Sequence, residues 1–260
     1  MTTDGILFDV DDTLVDTKGA FAVALEAIRA AYLPHVPPER GQEILAHWRT
    51  DPGGYYRRYT SGEMDHDTQR RHRAVLLHET FDGPPVTDFE AWDALFWGTF
   101  EKSWTAHDDA RAAVDAALAA GMRVGVVTNA AAELQERKLK LAGLADLPVL
   151  VGVDTLGFGK PDPRVFLEGA RLLGTDPARS AYVGDEPSVD ALAAHEAGLT
   201  GVWLDRAGHR RGPGYGGPAG PDGTRPDPQD PDALRAAGVL VIETLAELPA
   251  ALGYGPAARR

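Results

Sequence analysis

No cysteine occurs in the 260 residues, which excludes disulfides, thiolate metal sites and thiol nucleophiles together. No run of 18 apolar residues occurs either, and the N-terminus lacks a basic segment leading into a long apolar one. Neither a spanning helix nor a secretory leader is expected, and cytoplasmic residence is the default reading. Positive charge is scarce: 26 Lys and Arg face 39 Asp and Glu, a formal charge of −13. That balance speaks against nucleic acid and against an anionic membrane as partners. It also means that an anionic small molecule would need a local positive site. The rest of the composition is that of a globular protein, 43% hydrophobic and 25% charged. The length suffices for one large domain or two smaller ones.

The stretch from Ile6 to Thr17 stands apart. Ile6-Leu7-Phe8 has the length and flanks of a buried strand, and it delivers Asp9, Asp11 and Asp12 within four positions. Two carboxylates about 4 Å apart repel by roughly 4 kcal/mol at an effective dielectric near 20. A proton, a lysine or a metal would relieve that cost. A polar turn capping the next helix is the plainer alternative. An EF-hand loop fits poorly, because Leu14 and Ala20 stand where Gly and Glu would be required.

From Asp16 onward the pattern is helical. Phe21, Leu25, Ile28 and Tyr32 share one face up to Pro34, Ile44 to Trp48 continues, and Asp51-Pro-Gly-Gly breaks the chain. A helix rich in Arg and His is expected over 67–81, and Phe89, Trp92, Phe96 and Phe100 mark another. Residues 17–104 thus read as a mainly helical insert whose aromatics are core. From Asp108 helices and strands alternate: a helix over 108–120, a strand over 124–127 and a helix to Leu141. Further strands follow at 149–151, 181–183, 201–204 and 240–242, with helices after Pro163, through Leu192 and over 246–252. This alternation implies an α/β fold, a Rossmann-like parallel sheet with helices on both faces. The first strand belongs to it, so residues 1–16 and 105–260 form the core and 17–104 a cap. Within the core, 206–231 is half Gly and Pro, and reads as a flexible surface loop.

Ligands of parallel α/β sheets bind at the carboxyl ends of the strands. Asp9, Asp11, Thr128, Asn129 and Asp185 fall there, and Lys160 opens the segment before another helix. Each has a simpler use alone: a helix cap, a Pro-rich turn, a tight Gly184-Asp185 turn. Their succession at strand ends is harder to attribute to accident.

In that order the residues resemble the four motifs of the haloacid dehalogenase-like hydrolase superfamily. Asp9-Val-Asp11-Asp-Thr13-Leu is similar to the first, Val127-Thr128-Asn129 to the second, Lys160-Pro161-Asp162-Pro163 to the third, and Gly184-Asp185 through Asp190 to the fourth. The resemblance covers the core and implies the subgroup whose helical cap follows motif one. Two features depart from it: Glu186, where a small hydroxyl residue is frequent, and the Gly/Pro-rich insertion. The resemblance implies Asp9 as nucleophile forming an aspartyl-phosphate and Asp11 as general acid and base. Mg²⁺ would be held by Asp9, the Asp11 backbone carbonyl and Asp185, with Asp190 in support. Beside that resemblance stands the physical case that Lys160 supplies positive charge and that Thr128 with the backbone N–H of Asn129 can donate to phosphate oxygens. A phosphate dianion cannot approach these carboxylates without a hard cation, and oxygen ligands suit Mg²⁺.

The expected activity is hydrolysis of a small phosphorylated metabolite by a monomer or homodimer. A 2-haloacid dehalogenase needs neither Asp11 nor Asp185, and Asp11 equally disfavours phosphonate hydrolysis. A sugar phosphomutase of similar architecture carries a His where Phe21 stands here. A response-regulator receiver fails on motif order, since Asp185 follows Lys160. A catalytically inactive relative would be betrayed by absent motif residues, and every required position is filled. The polar cap residues His47, Arg49, Tyr55, Tyr56, Arg57 and Arg58 are candidates for specificity.

Overall fold

The computed structural model describes residues 3–210 and 229–254. Two compact units emerge, one of residues 16–105 and one of the described residues on either side of them.

The larger unit is built on a sheet of six strands, all parallel. In chain order its elements are β1 (Gly5–Phe8), α6 (Ala110–Ala119; α1–α5 belong to the smaller unit), β2 (Arg123–Val127), α7 (Ala132–Leu141), β3 (Val149–Val151), α8 (Val153–Leu156) and α9 (Pro163–Leu173). They continue with β4 (Ser180–Gly184), α10 (Ala193–Glu196), β5 (Thr200–Leu204), α11 (Pro231–Ala236), β6 (Leu240–Ile242) and α12 (Leu248–Leu252). The strand order is β3-β2-β1-β4-β5-β6. Phe8 is level with Val126 on one side and Val183 on the other, so Asp9 emerges between the ends of β2 and β4. Leu7 and Tyr182 are register partners on one face of the sheet, packed with Val127, Val165, Phe166 and Leu173. By the two-residue period Ile6 and Phe8, both fully buried, look the other way. Helix α9 starts as its sequence dictates, with Asp162 accepting from the Arg164 N–H and Pro163 in its first turn. Its Gly169 lets the helix settle close to the sheet, since a Cβ there would lie 2.6 Å from Val127 Cγ2.

The smaller unit holds α1 (Thr17–Tyr32), α2 (Gly41–Thr50), α3 (Tyr55–Thr60), α4 (His66–Thr80) and α5 (Phe89–Lys102). The aromatic stripe read from the sequence is its core: Trp48, Trp92 and Phe96 are buried with centroids 5.1–6.0 Å apart. Phe21 stacks on Phe100 at 4.4 Å. Arg70, nearly buried, bonds Asp93 at 2.7 and 2.5 Å and lies 4.6 Å from the Phe96 centroid. His78 is buried as well. Trp92 Nε1 can only donate, so His78 Nε2 accepts at 3.0 Å and the Nδ1–H donates to the Pro84 carbonyl at 2.7 Å.

Several elements differ from the sequence expectation. The two-turn helix α3 was not expected after the Asp51-Pro-Gly-Gly break. It forms because the Asp51 carboxylate accepts from the Tyr55 and Tyr56 N–H groups at 3.1 and 2.9 Å. Short helices α8 and α11 were also missed, and Pro231 begins α11 instead of ending a loop. The helix expected through Leu192 is a π-helical turn over Pro187–Leu192 that becomes α-helical only at Ala193. Of the Gly/Pro-rich segment, residues 211–228 lie outside the described residues. Its first residue, Arg206, is anchored: it donates to both Asp109 carboxylate oxygens at 2.6 and 3.0 Å and to the Thr13 carbonyl at 3.2 Å. No helix among the described residues is long and apolar enough to cross a membrane.

Asp109 also accepts from the Leu245 N–H at 2.9 Å, which ties three distant segments together. Burial opposes ionisation of its carboxyl, but Arg206 and Leu245 prevail and lower its pKa. Asp109→Ala should therefore cost about 2–3 kcal/mol in urea unfolding, because it leaves a largely buried guanidinium and an N–H without their acceptor. The depressed pKa makes this contribution present at neutral pH and lost as pH falls from the unfolded value through the folded one. The difference between the wild-type protein and Asp109→Ala should shrink on acidification over that range.

Candidate active site

The site assembles at the carboxyl ends of β1, β2 and β4. Asp9 is the first residue past β1, held by its N–H to the Val183 carbonyl at 2.9 Å. The chain then turns: Leu14 and Val15 both donate to the Val10 carbonyl, and Asp12 adopts a left-handed conformation with φ of 60°. Aspartate tolerates that region better than most residues.

Lys160 is the hub. Its buried Nζ donates to Asp9 Oδ1 at 2.8 Å, Asp190 Oδ1 at 2.6 Å and the Tyr182 hydroxyl at 2.7 Å. These three bonds use the full donor capacity of an ammonium. Burial alone would discharge the lysine, yet Asp190 and Asp9 hold it charged, well above the usual lysine range. Tyr182 passes its own proton to the Val127 carbonyl at 2.9 Å, and burial keeps the phenol protonated. The loop carrying Lys160 is fixed through its backbone: Asn129 Nδ2 donates to the Lys160 carbonyl at 2.9 Å and Asn129 Oδ1 accepts from the Lys160 N–H at 2.6 Å. Asn129, expected to contact phosphate, thus has its side chain committed to positioning Lys160. Gly159 permits the approach, since a Cβ there would sit 2.3 Å from Asn129 Oδ1.

Asp190 is fully buried in the π-helical turn. Its second oxygen accepts from the Glu186 N–H at 3.0 Å, so both oxygens are engaged. Gly184 makes room, because a Cβ there would lie 2.3 Å from Asp190 Oδ2. Asp185 is half-buried, and its carbonyl accepts from Trp203 Nε1 at 3.0 Å. One oxygen from each of Asp9, Asp185 and Asp190 lies within 4.8 Å of the others. Three carboxylates around one lysine leave an excess of negative charge with hard oxygen donors, which suits a small divalent cation. With Asp190 already engaged, Asp9 and Asp185 are the better-placed ligands. Glu186 is buried directly beside them, so the departure noted in the sequence lies at the site itself.

In the absence of a cation burial dominates at Asp9, Lys160 only partly offsets it, and Asp190 and Asp11 add repulsion, so the Asp9 carboxyl is pushed up to about 7.

Asp11 does not share Lys160. Its Oδ2 accepts from Gln135 Nε2 at 2.6 Å, and its Oδ1 pairs with Lys138 Nζ. Gln135 Nε2 also donates to Thr128 Oγ1 at 3.0 Å, which accepts a further bond from the Ala130 N–H at 3.3 Å. A hydroxyl that accepts twice can donate its own proton onward, as a phosphate contact requires. Gln135 and Lys138 were not singled out from the sequence. Their one signal was two polar residues three apart on the helix after motif two, which reads equally as a solvated face.

Residues 3–198 match the haloacid dehalogenase-like hydrolase family, and residues 157–248 match a second description, HAD-hydrolase-like. The chain belongs to the haloacid dehalogenase-like hydrolases. It is thereby an enzyme of a hydrolase family. Among curated relatives, the phosphoserine phosphatase of Thermus thermophilus is 32% identical over 188 residues, 72% of this chain and 67% of that protein. A β-phosphoglucomutase of Mycobacterium tuberculosis is 29% identical over 220 residues, 78% of this chain and 77% of its own. Among solved structures, the magnesium-bound HAD-hydrolase YfnB of Bacillus subtilis superposes with a TM-score of 0.73 at 22% identity, covering 97% of this chain and all of that one. That similarity shows the shared fold.

The raised Asp9 pKa yields a stability prediction. A carboxyl whose folded value lies above its unfolded one penalises folding at pH values above both, and the penalty disappears as pH falls toward the unfolded value. With EDTA present, Asp9→Asn should be about 1–3 kcal/mol more stable than wild type at pH 8, with that advantage largely gone at pH 5. Thermal melts at the two pH values measure it. A variant that is less stable at pH 8 would show that the Lys160–Asp9 pair outweighs burial.

Proposed function

We propose that this hydrolase cleaves a small phosphomonoester through an aspartyl-phosphate on Asp9. The observation that carries the reading is Lys160, held at the carboxyl ends of the inner strands between Asp9 and Asp190, with Asp185 beside those acids. This arrangement gathers positive charge and hard oxygen ligands where an ester's phosphoryl group would sit. Phosphoryl transfer asks mainly for positioning and charge neutralisation.

The carboxylate set fits Mg²⁺, with Asp9 and Asp185 as side-chain ligands, the Asp11 carbonyl as a third and Asp190 holding Lys160 behind them. When bound, the ion supplies neutralisation of the phosphoryl oxygens and keeps Asp9 ionised. Asp9 Oδ attacks phosphorus as the bond to the ester oxygen breaks, and Asp11 delivers its proton to that leaving oxygen. Water then attacks phosphorus with Asp11 taking its proton, the Asp9–phosphorus bond breaks, and inorganic phosphate is released. Thr128 and the Asn129 N–H would hold the non-bridging oxygens, while Lys160, its three protons already given to Asp9, Asp190 and Tyr182, supplies positive charge behind the nucleophile.

The presence of Asp11 and Asp185 disfavours dehalogenation. The mutase reading is disfavoured by Phe21, an aromatic stacked on Phe100 and unable to exchange protons where a mutase carries His. The substrate is expected to be a small phosphorylated metabolite, with nucleic acid disfavoured by the net charge of −13.

The purified protein should release phosphate from p-nitrophenyl phosphate with Mg²⁺ and lose that activity in EDTA. Asp9→Asn should form no acid-stable, hydroxylamine-labile phosphoenzyme. Asp185→Ala should require far more Mg²⁺ while keeping its fold by circular dichroism. Undiminished turnover in EDTA would overturn the metal assignment, and a phosphoenzyme in Asp9→Asn would overturn the nucleophile.

A further inference from the structure

The proposed mechanism leaves two polar residues of α7 without a task. Gln135 is fully buried and Lys138 is 3% exposed. Burying a lysine costs several kcal/mol unless its charge is paired and its protons are bonded. Residues three apart share a helix face, and here both side chains converge on one carboxylate from a distant part of the chain. Lys138 takes Oδ1 of Asp11 and Gln135 takes Oδ2 at 2.6 Å. The same Gln135 amide bonds Thr128 Oγ1 at 3.0 Å.

Asp11 has no need of such a hold for solvation alone. Its side chain is 26% exposed, so water can reach it. A carboxylate gripped at both oxygens by one rigid helix face loses its rotational freedom about the side chain, and charge-assisted bonds make that grip strong. It also becomes linked through one amide to Thr128, so two groups meant for the same phosphoryl group share one support. General acid catalysis depends on geometry of this kind, because a misplaced donor forfeits the benefit of being bound beside the reacting bond.

We propose that Lys138 and Gln135 are positioning residues that orient Asp11 toward the ester's bridging oxygen and lock its placement to Thr128. The inference rests on the reading of Asp9 as nucleophile and Asp11 as acid and base. The hold is compatible with proton transfer: a carboxyl offers about four lone-pair sites, so an oxygen carrying or receiving the proton still leaves acceptors for the amide and the ammonium.

The test separates leaving groups. Nitrophenolate departs without a proton, whereas a simple alkoxide requires one. Because water attack on the phosphoenzyme also calls on Asp11 whichever ester is used, the contrast is read on phosphoenzyme formation in a single turnover: Lys138→Met should lower that rate with ethyl phosphate by about 10²-fold, but with p-nitrophenyl phosphate by less than about 3-fold, with substrate affinity little changed. Gln135→Met should show the same pattern more weakly, and Lys138→Arg should recover part of the loss. In an Asp11→Asn background, Lys138→Met should cause no further loss with ethyl phosphate, because the group it orients is already gone. Equal losses on both esters, or losses that multiply with Asp11→Asn, would overturn the inference and leave Lys138 a structural residue. If Lys138→Met does not fold, Gln135→Met alone decides by the same two criteria. A wild-type protein inactive on both esters with Mg²⁺ would overturn the phosphatase reading first, and this inference with it.

Discussion

The structure of the larger unit depends on one buried ammonium. Lys160 Nζ makes three bonds, and each partner belongs to a different part of the sheet: Asp9 follows β1, Tyr182 lies within β4, and Asp190 lies in the turn after it. Without those acceptors a charge at that depth could not be retained. Without the charge, Asp9 and Asp190 would confront each other across a poorly solvated gap. The surrounding sequence serves this arrangement. Asn129 grips the Lys160 backbone, Gly159 admits Asn129, and Gly184 admits Asp190. The π-helical turn gives Asp190 a backbone position that points it at the lysine while its neighbour's N–H takes the other oxygen.

Much of this was legible because the signals were local. Short apolar runs ending in Asp9, Thr128 and Asp185 read as strands with chemistry at their carboxyl ends, and the alternation with helices required a parallel sheet. Asp162 and Pro163 announced a helix start, and one begins there. The aromatic stripe Phe89, Trp92, Phe96 and Phe100 announced a buried face, and all four are buried. In each instance the residues that gave the signal lie within about three helical turns of one another.

What escaped the sequence depends on contacts between distant residues or on environment. Helix α3 has too few residues to be favoured by propensity alone, and it exists because Asp51 supplies its missing acceptors. The task of the Asn129 side chain was not legible, since only the path of the chain 31 residues later shows it bonded to Lys160. The sequence does not reveal how deeply the Asp9 carboxyl is buried. Burial outweighs the single cation and leaves the group near pH 7. Arg206 stands at the start of a Gly/Pro-rich stretch whose composition predicted freedom, yet it is bound to Asp109, almost a hundred positions earlier.

The two carboxyls of motif one are treated differently by the fold, and that difference bears on how they can work. Asp9 shares Lys160 with Asp190, so its lysine is divided between two acids and cannot fully compensate either burial or repulsion. In the proposed mechanism a divalent cation beside Asp185 would keep Asp9 ionised at neutral pH. Asp11 has a lysine from a separate helix, together with an amide that fixes its second oxygen. Because the two cations come from different elements, Lys160 from the loop before α9 and Lys138 from α7, the environments of Asp9 and Asp11, proposed as nucleophile and acid/base, can change independently. A pair of acids two residues apart in one loop could not otherwise hold opposite roles, since each would respond to the same field. In the proposed mechanism the division of labour would therefore be set less by the spacing of Asp9 and Asp11 than by the two lysines that reach them from elsewhere in the fold.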